Sequence, residues 1–398
     1  MKIILSIFCL CFAMMAKGQD VTLYNVNIVD VERGEVREGM TVVVKDGVIA
    51  KIGQAKKRWK KGQEDWSGRY LMPGLIESHS HWGGFGLTPG YMDNMTRSCL
   101  ACGVTTARDA GGHADIAKAY VEEVKSGKRV GPTVYLSSFW VGAKYPLQGG
   151  EHVWERTIPY DATPEQLEQY ILEAKEFGCT GLKLYHDLSA ELLQQIVPLC
   201  HKHGIKPWGH FSTMTASALE CVEAGVECLS HAYLIEGDEG FTPEGKARRF
   251  TPEARAYRDS VYRAMARRGA VLDATVYLCS LESAALPHNT VFTREAYEAG
   301  VTIAAGTDCL DFDNGFQCVL LNEMEMLADS CGMSLPDVLR AATTVGAKVL
   351  GMEGKIGVIR EGAEADLLLL SSNPLQSLKA LRKQEALYID GKRVVSCE

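Results

Sequence analysis

Between residues 163 and 306 the chain alternates apolar residues at helical spacing with short runs of β-branched and aliphatic residues, and this alternation restricts the fold more than any other feature. Thr163-Pro164-Glu165-Gln166 has the form of a capping box with proline at the first helical position. Leu167, Tyr170, Ile171, Ala174 and Phe177 follow on one helical face, Gly178 can close the helix, and Gly181-Leu182-Lys183-Leu184 reads as a strand. Ser189 starts a second helix that Pro198 should kink and Gly204 should end, ahead of a strand from Ile205 to His210. A third helix is expected over about 213–224 and then a strand from Val226 to His231. A fourth helix ends at Gly269 before Ala270-Val271-Leu272-Asp273-Ala274, and a fifth ends at Gly300 before Val301-Thr302-Ile303-Ala304-Ala305-Gly306. Strands near Leu75, Val104 and Val134 bring the count to eight, which predicts an α/β protein built as a (β/α)8 TIM-type barrel. An open doubly wound sheet is the weaker alternative, because no G-x-G-x-x-G follows the first strand.

The two chain ends differ from this middle and resemble each other. Val21-Thr22-Leu23-Tyr24 and Thr41-Val42-Val43-Val44 are strand-like, and Lys45-Asp46-Gly47 is a hairpin signal. Ala365-Asp366-Leu367-Leu368-Leu369-Leu370 and Ala386-Leu387-Tyr388-Ile389-Asp390-Gly391-Lys392 repeat the pattern. The expectation is a small β-sandwich module formed by residues 19–70 and 355–398, with the barrel, residues 71–354, inserted between them. A chain of 398 residues accommodates both.

With a formal charge of −8 a nucleic-acid footprint is not expected, and Lys56-Lys57-Arg58-Trp59-Lys60-Lys61 is too short a basic run to read as more than a solvated loop. Met1-Lys2, the apolar run Ile3 to Met15 and Ala16-Lys17-Gly18 have the order of a signal peptide, residues 1–18, cleaved before Gln19. That run is too short to span a bilayer stably, and no other stretch reads as transmembrane, so a periplasmic or secreted protein free of the membrane is expected. Of the 13 cysteines, Cys9 and Cys11 leave with the signal; the odd remainder includes Cys99-x-x-Cys102, and with no second such pair a zinc ribbon is not expected. Buried free thiols are the default for that pair, with a disulfide as the alternative. The sequence is compatible with a homo-oligomer and does not set its order.

A barrel gathers its chemistry at the C-terminal ends of its strands. His79-Ser80-His81 closes the first strand, and alternation places both imidazoles on one face. The other strand ends supply Lys183, His210, His231 and Asp308. Each has an ordinary reading: a strand-end histidine is commonly a hydrogen-bonded core residue, and Asp308 could cap the next helix. Lys183, between Leu182 and Leu184, is less ordinary, since a buried ammonium costs several kcal/mol unless neutral or paired. All six on one rim read as a metal site.

Pro73-Gly74-Leu75-Ile76-Glu77-Ser78-His79-Ser80-His81, Gly103-Val104-Thr105-Thr106-Ala107-Arg108-Asp109, Ala224-Gly225-Val226-Glu227-Cys228-Leu229-Ser230-His231 and Gly306-Thr307-Asp308 resemble signatures of the amidohydrolase superfamily. Ala341-Ala342-Thr343-Thr344-Val345-Gly346 and Gly362-Ala363-Glu364-Ala365-Asp366-Leu367 are similar to its C-terminal segments, so the resemblance covers nearly the whole mature chain. Within the superfamily the chain looks most like the imidazolonepropionase-like branch, which includes Xaa-Pro dipeptidases. The resemblance implies two divalent ions, zinc by default: His79, His81 and Asp308 on the first, His210 and His231 on the second, with an N-carboxylated Lys183 bridging them. An unmodified Lys183 paired to Asp308 beside one metal is the alternative. The same resemblance implies hydrolysis of a C–N bond by metal-activated water, with Asp308 moving the proton. The expected substrate is a small molecule, such as a dipeptide with C-terminal proline or an N-acyl amino acid. A lactone, carbamate or phosphotriester on the same metals, and a binding protein on an inactive barrel, are the rival readings. His152, after Gln148-Gly149-Gly150-Glu151, and Tyr233, two residues past His231, are expected to face substrate. His113 is a weaker candidate, His201 and His203 are surface residues, and Arg108 is expected to partner Asp109 or a neighbouring strand.

Overall fold

A computed structural model describes residues 20–56, 64–83, 90–137, 140–142, 155–159, 161–185, 187–213, 215–236, 250–281, 286–309 and 318–394. The segment read as a signal peptide and His152 lie outside these residues. Eight strands form the barrel: β1 (Leu75–Ser80), β2 (Val104–Asp109), β3 (Thr133–Tyr135), β4 (Gly181–Leu184), β5 (Lys206–His210), β6 (Cys228–Ser230), β7 (Val271–Asp273) and β8 (Thr302–Ala304). They pair in parallel in sequence order within two arcs, β1–β3 and β4–β8. Two seams close the ring. At β3–β4, Ser137 bridges Gly181 and the Thr180 N–H donates to the Leu136 carbonyl at 2.8 Å. At β8–β1, Ser78 N–H donates to Ala305 O at 3.0 Å and Asp308 N–H to His79 O at 2.9 Å. The second seam sets Asp308 beside His79, although they are far apart in sequence.

The connecting helices follow from local sequence. Thr163 and Gln166 make the expected capping box and Gly178, at φ 102°, closes that helix. Ser189 and Gly204 bound the next. The third helix starts later than expected, at Ala218, under a capping box of Ser217 and Glu220. Thr213 accounts for the shift: its hydroxyl donates to Leu188 O at 2.5 Å and accepts from the Ala216 N–H at 3.2 Å, which holds the preceding residues in a turn.

The chain ends form one further sheet, ordered Lys392–Val394, Gln384–Ile389, Leu367–Leu370, Tyr70–Pro73, Val21–Asp30, Glu35–Lys45, Val48–Gln54, with Glu64–Asp65 alongside the strand from Val21. Strands from both ends share one core of Leu23, Val26, Ile28, Val42, Val44, Ile49, Leu71, Leu367, Leu369 and Tyr388. Asp46-Gly47 and Asp390-Gly391 turn its hairpins with positive φ at all four residues, the mirror-image turn that suits strand twist. The expected junction with the barrel at residue 70 falls inside a strand. Leu71 and Met72 pair with Leu369 and Leu368, and the chain passes to the barrel at Gly74. Among the described residues, no helix is long and apolar enough to cross a membrane.

Candidate metal centre

The barrel brings the rim histidines together. His79 lies in β1, His81 one residue past it, Lys183 in β4, His210 at the end of β5, His231 just past β6 and Asp308 beyond β8. Ring centroids are 5.3 Å apart for His79 and His81, 5.1 Å for His79 and His231, and 4.7 Å for His210 and His231. All of these residues are buried except His210, which is half-buried. His79, His81 and Asp308 each present a ligand atom within 4.8 Å of the others.

What surrounds each imidazole fixes which nitrogen faces the centre. His79 Nδ1 lies 2.5 Å from Asp273 Oδ2, and His81 Nδ1 lies 2.7 Å from the Gly111 carbonyl. A carboxylate and a carbonyl only accept, so both Nδ1 atoms carry hydrogen and, in the neutral rings, both Nε2 atoms keep a lone pair. His231 Nδ1 meets the Thr275 hydroxyl at 2.9 Å. The three Nε2 atoms converge on one carboxylate: His79 and His81 lie 3.7 Å and 2.9 Å from Asp308 Oδ1, and His231 lies 3.7 Å from Oδ2. His79 Nε2 is buried with no hydrogen-bond partner. Lone pairs aimed at a carboxylate repel it unless a cation or proton sits among them, so this donor set fits a divalent metal.

The electrostatics agree. Burial lowers His79 well below the ordinary imidazole range and lowers His231 to about 4, so both rings are neutral, the form that ligates. Burial alone would raise Asp308, but the positive charge or proton shared with His79 and His81 outweighs it and keeps the carboxylate ionised. Burial and the Arg108 guanidinium lower Lys183 to about 8, while Asp308 and Asp273 oppose them. His231 and Asp308 both hold left-handed backbone, at φ 71° and 50°. Such φ values are uncommon for non-glycine residues and cluster at functional sites.

A second layer went unread in the sequence. Asp273, at the end of β7, is fully buried and receives His79 Nδ1, Arg108 at 2.7 Å and the Ser230 hydroxyl at 3.0 Å. It stands at the same rim level as the histidines, so the strand-end rule could have found it. Arg108 also donates to the Ser78 carbonyl and stacks 5.0 Å from the Trp208 ring. It therefore serves a neighbouring strand and Asp273; Asp109 instead accepts the Trp82 N–H at 3.0 Å. Glu77 accepts the backbone N–H groups of His79 and Thr307 at 2.9 and 3.0 Å, tying β1 to the segment that carries Asp308. Gly306 is required here: a Cβ would lie 2.3 Å from Asp273 Oδ1 and 2.8 Å from His79 Cβ.

Tyr233 borders the centre, its ring 5.7 Å from that of His231, and its backbone N–H is fixed by Asn289 Oδ1 at 3.0 Å. His113 precedes the helix Ala114–Lys125 and makes no side-chain cap. His201 pairs with Glu227 and His203 with Glu168, away from the rim. A cavity of about 420 Å³ at the opposite end of the barrel, lined by Lys206, Glu227, Arg268 and Lys348, shares no residue with the centre.

A sequence model of the Amidohydrolase family matches residues 70–394. The chain is 25% identical to an ochratoxinase of Aspergillus niger, over 89% of this chain and 82% of that protein. Its fold is similar to that of a Xaa-Pro dipeptidase with methionine bound in its active site, with a TM-score of 0.73 and 18% identity over 94% of this chain and all (100%) of the other. It is similar also to phenylurea hydrolase B, with a TM-score of 0.75 and 18% identity over 95% and 97% of the two chains.

Proposed function

Because this chain belongs to the amidohydrolase family and is thus a metal-dependent hydrolase of C–N bonds, we propose that it cleaves the amide bond of a small N-acyl amino acid or of a dipeptide ending in proline. The observation that carries the reading is the convergence of three Nε2 atoms on the Asp308 carboxylate. The similarity in fold to a Xaa-Pro dipeptidase supports the dipeptide reading.

His79, His81 and Asp308 would hold the first divalent ion and His210 and His231 a second, with N-carboxylated Lys183 between them. Zinc suits this nitrogen-rich set, and manganese or iron would also fit. Such ions, when bound, would supply a water acidic enough to ionise near neutral pH and a Lewis acid for the scissile carbonyl. The protein supplies the rest. Asp273 and the Gly111 carbonyl orient His79 and His81 through their Nδ1 hydrogens, and Thr275 positions His231. Asp308 takes the proton of the attacking water and returns it to the leaving nitrogen. Tyr233, half-buried beside His231, would donate its hydroxyl hydrogen to the substrate carboxylate. Carboxylation of Lys183 joins its neutral amine to carbon dioxide with loss of a proton, replacing a buried cation by an anion.

The test is a panel of N-acyl-prolines and lactones assayed on metal-loaded protein at mildly alkaline pH. Turnover of the amides, abolished in Asp308→Asn with the fold intact, supports the reading; turnover of lactones alone overturns it. Lys183→Ala should lose metal and regain it with added short carboxylates, and full metal content without them would remove the bridge. The chain is also proposed to be exported and cut before Gln19, which the intact mass of the mature protein checks.

A further inference from the structure

The structure holds a second cluster of reactive side chains, made of cysteines that are not among the rim residues. Cys102 is the last residue of the helix Tyr91–Cys102, which follows β1, and Cys318 occupies the N-cap position of the helix Val319–Asp329, which follows β8, without a side-chain capping bond. The two helices pack against each other. Cys102 and Cys318 are neighbours across this seam although more than half the chain length separates them in sequence: Cys102 lines a small cavity with Val319 and Leu320, the two residues that follow Cys318. Cys99, one turn earlier, stands close enough to feel the charge of Cys318. The C-terminal segment covers this seam: Gln384 Nε2 donates to the carbonyls of Leu100 and Ala101 at 3.2 and 2.9 Å, and Arg382 donates to Asn322 and Glu325 at 2.8 Å.

We propose that Cys102 and Cys318 form a disulfide in an oxidising compartment, fastening the first and last helical layers of the barrel to each other. The segment read as an export signal would deliver the chain to such a compartment. The two thiols are unequal in the way exchange requires. Cys318 is half-buried, and the neighbouring Cys102 thiol and the Arg382 guanidinium hold it below the ordinary thiol range. Cys102 is buried, and burial raises it. Cys318 thiolate attacks one sulfur of a disulfide oxidant such as glutathione disulfide and displaces a thiolate. Cys102 then gives up its proton and attacks the Cys318 sulfur, releasing the second thiolate. Two protein thiols are oxidised to one cystine, and one oxidant disulfide is reduced to two thiols. Cys99 remains a free buried thiol.

The pairing is tested on the purified mature chain without any assay of hydrolysis. The protein is equilibrated with glutathione disulfide, trapped with N-ethylmaleimide, digested without reduction and mapped by mass spectrometry. The expected result is a peptide linking Cys102 to Cys318, and a Tm about 5 °C higher than after reduction, as for closure of a long loop. Cys318→Ser should lose both effects and stay folded, because serine is a favoured N-cap; Cys99→Ser should keep both. Recovery of Cys102 and Cys318 as maleimide adducts at the most oxidising ratio would overturn the proposal, as would a linkage through Cys99.

Discussion

Replacing Asp273 by asparagine should damage stability and metal binding together, although Asp273 need not touch metal. The carboxylate is fully buried and is the shared acceptor for His79 Nδ1 at 2.5 Å, Arg108 at 2.7 Å and Ser230 at 3.0 Å. Asparagine keeps the shape and one acceptor but removes the charge. Arg108, only 1% exposed, is then left without its counterion beside Lys183. Breaking a buried pair by removing one partner costs about 3–5 kcal/mol, and since asparagine retains part of the hydrogen bonding, the lower end, about 3 kcal/mol, is expected. Loss of the partner that orients a metal-bound histidine should weaken metal affinity by about 10–100-fold. Urea denaturation of the metal-free protein reads the first effect and equilibrium dialysis against a chelator reads the second. Ser230→Ala is the control and should cost only about 1 kcal/mol, the worth of one neutral hydrogen bond. If Asp273→Asn stays within about 1 kcal/mol of the parent and binds metal equally well, the layer inferred behind the histidines does not do what its geometry suggests.

Two further perturbations probe the same core. Gly306→Ala places a methyl 2.3 Å from Asp273 Oδ1, so it should destabilise by about 1–3 kcal/mol and lower metal content; an unchanged melting curve would refute the steric argument. Glu323 is buried, accepts the Val276 N–H at 3.1 Å and the Tyr277 N–H at 2.5 Å, and burial raises it to about 8 from an ordinary 4.5. The folded state therefore binds more protons than the unfolded state between those values. This contribution is full below about pH 4.5 and is lost as pH rises towards 8. Glu323→Gln should flatten that part of the stability profile, measured by denaturation from pH 5 to 8.5; an unaltered slope would show that another group carries it.

The barrel was legible because helix caps and strand periodicity are local. Thr163, Ser189, Gly178 and Gly204 act where the sequence places them. The start of the third helix was misjudged because the Thr213 hydroxyl engages Leu188, a contact made by folding rather than by neighbours in sequence. At the rim, strand ends identified the histidines, Lys183 and Asp308 as neighbours, since parallel register carries every strand end to one level. Asp273 obeys the same rule, but within Ala270-Val271-Leu272-Asp273-Ala274 no neighbouring motif sets it apart from an ordinary strand-end carboxylate. No sequence rule announced that Arg108 would reach past Asp109 to Asp273, or that the β8–β1 seam would rest on Asp308 N–H and His79 O, because both depend on closure of the ring. The Asp46-Gly47 and Asp390-Gly391 turns were readable, whereas the change of sheet at Gly74 was hidden within a continuous apolar run.

The claim at the centre is that His79, His81 and Asp308 surround a cation. An anomalous difference map from crystals of the metal-loaded protein, collected on either side of the absorption edge of the added metal, tests it most directly. The account predicts a peak about 2.0–2.2 Å from the Nε2 atoms of His79 and His81 and from an Asp308 oxygen. A map with no peak among those three side chains, in protein shown to be folded and exposed to excess metal, would contradict it.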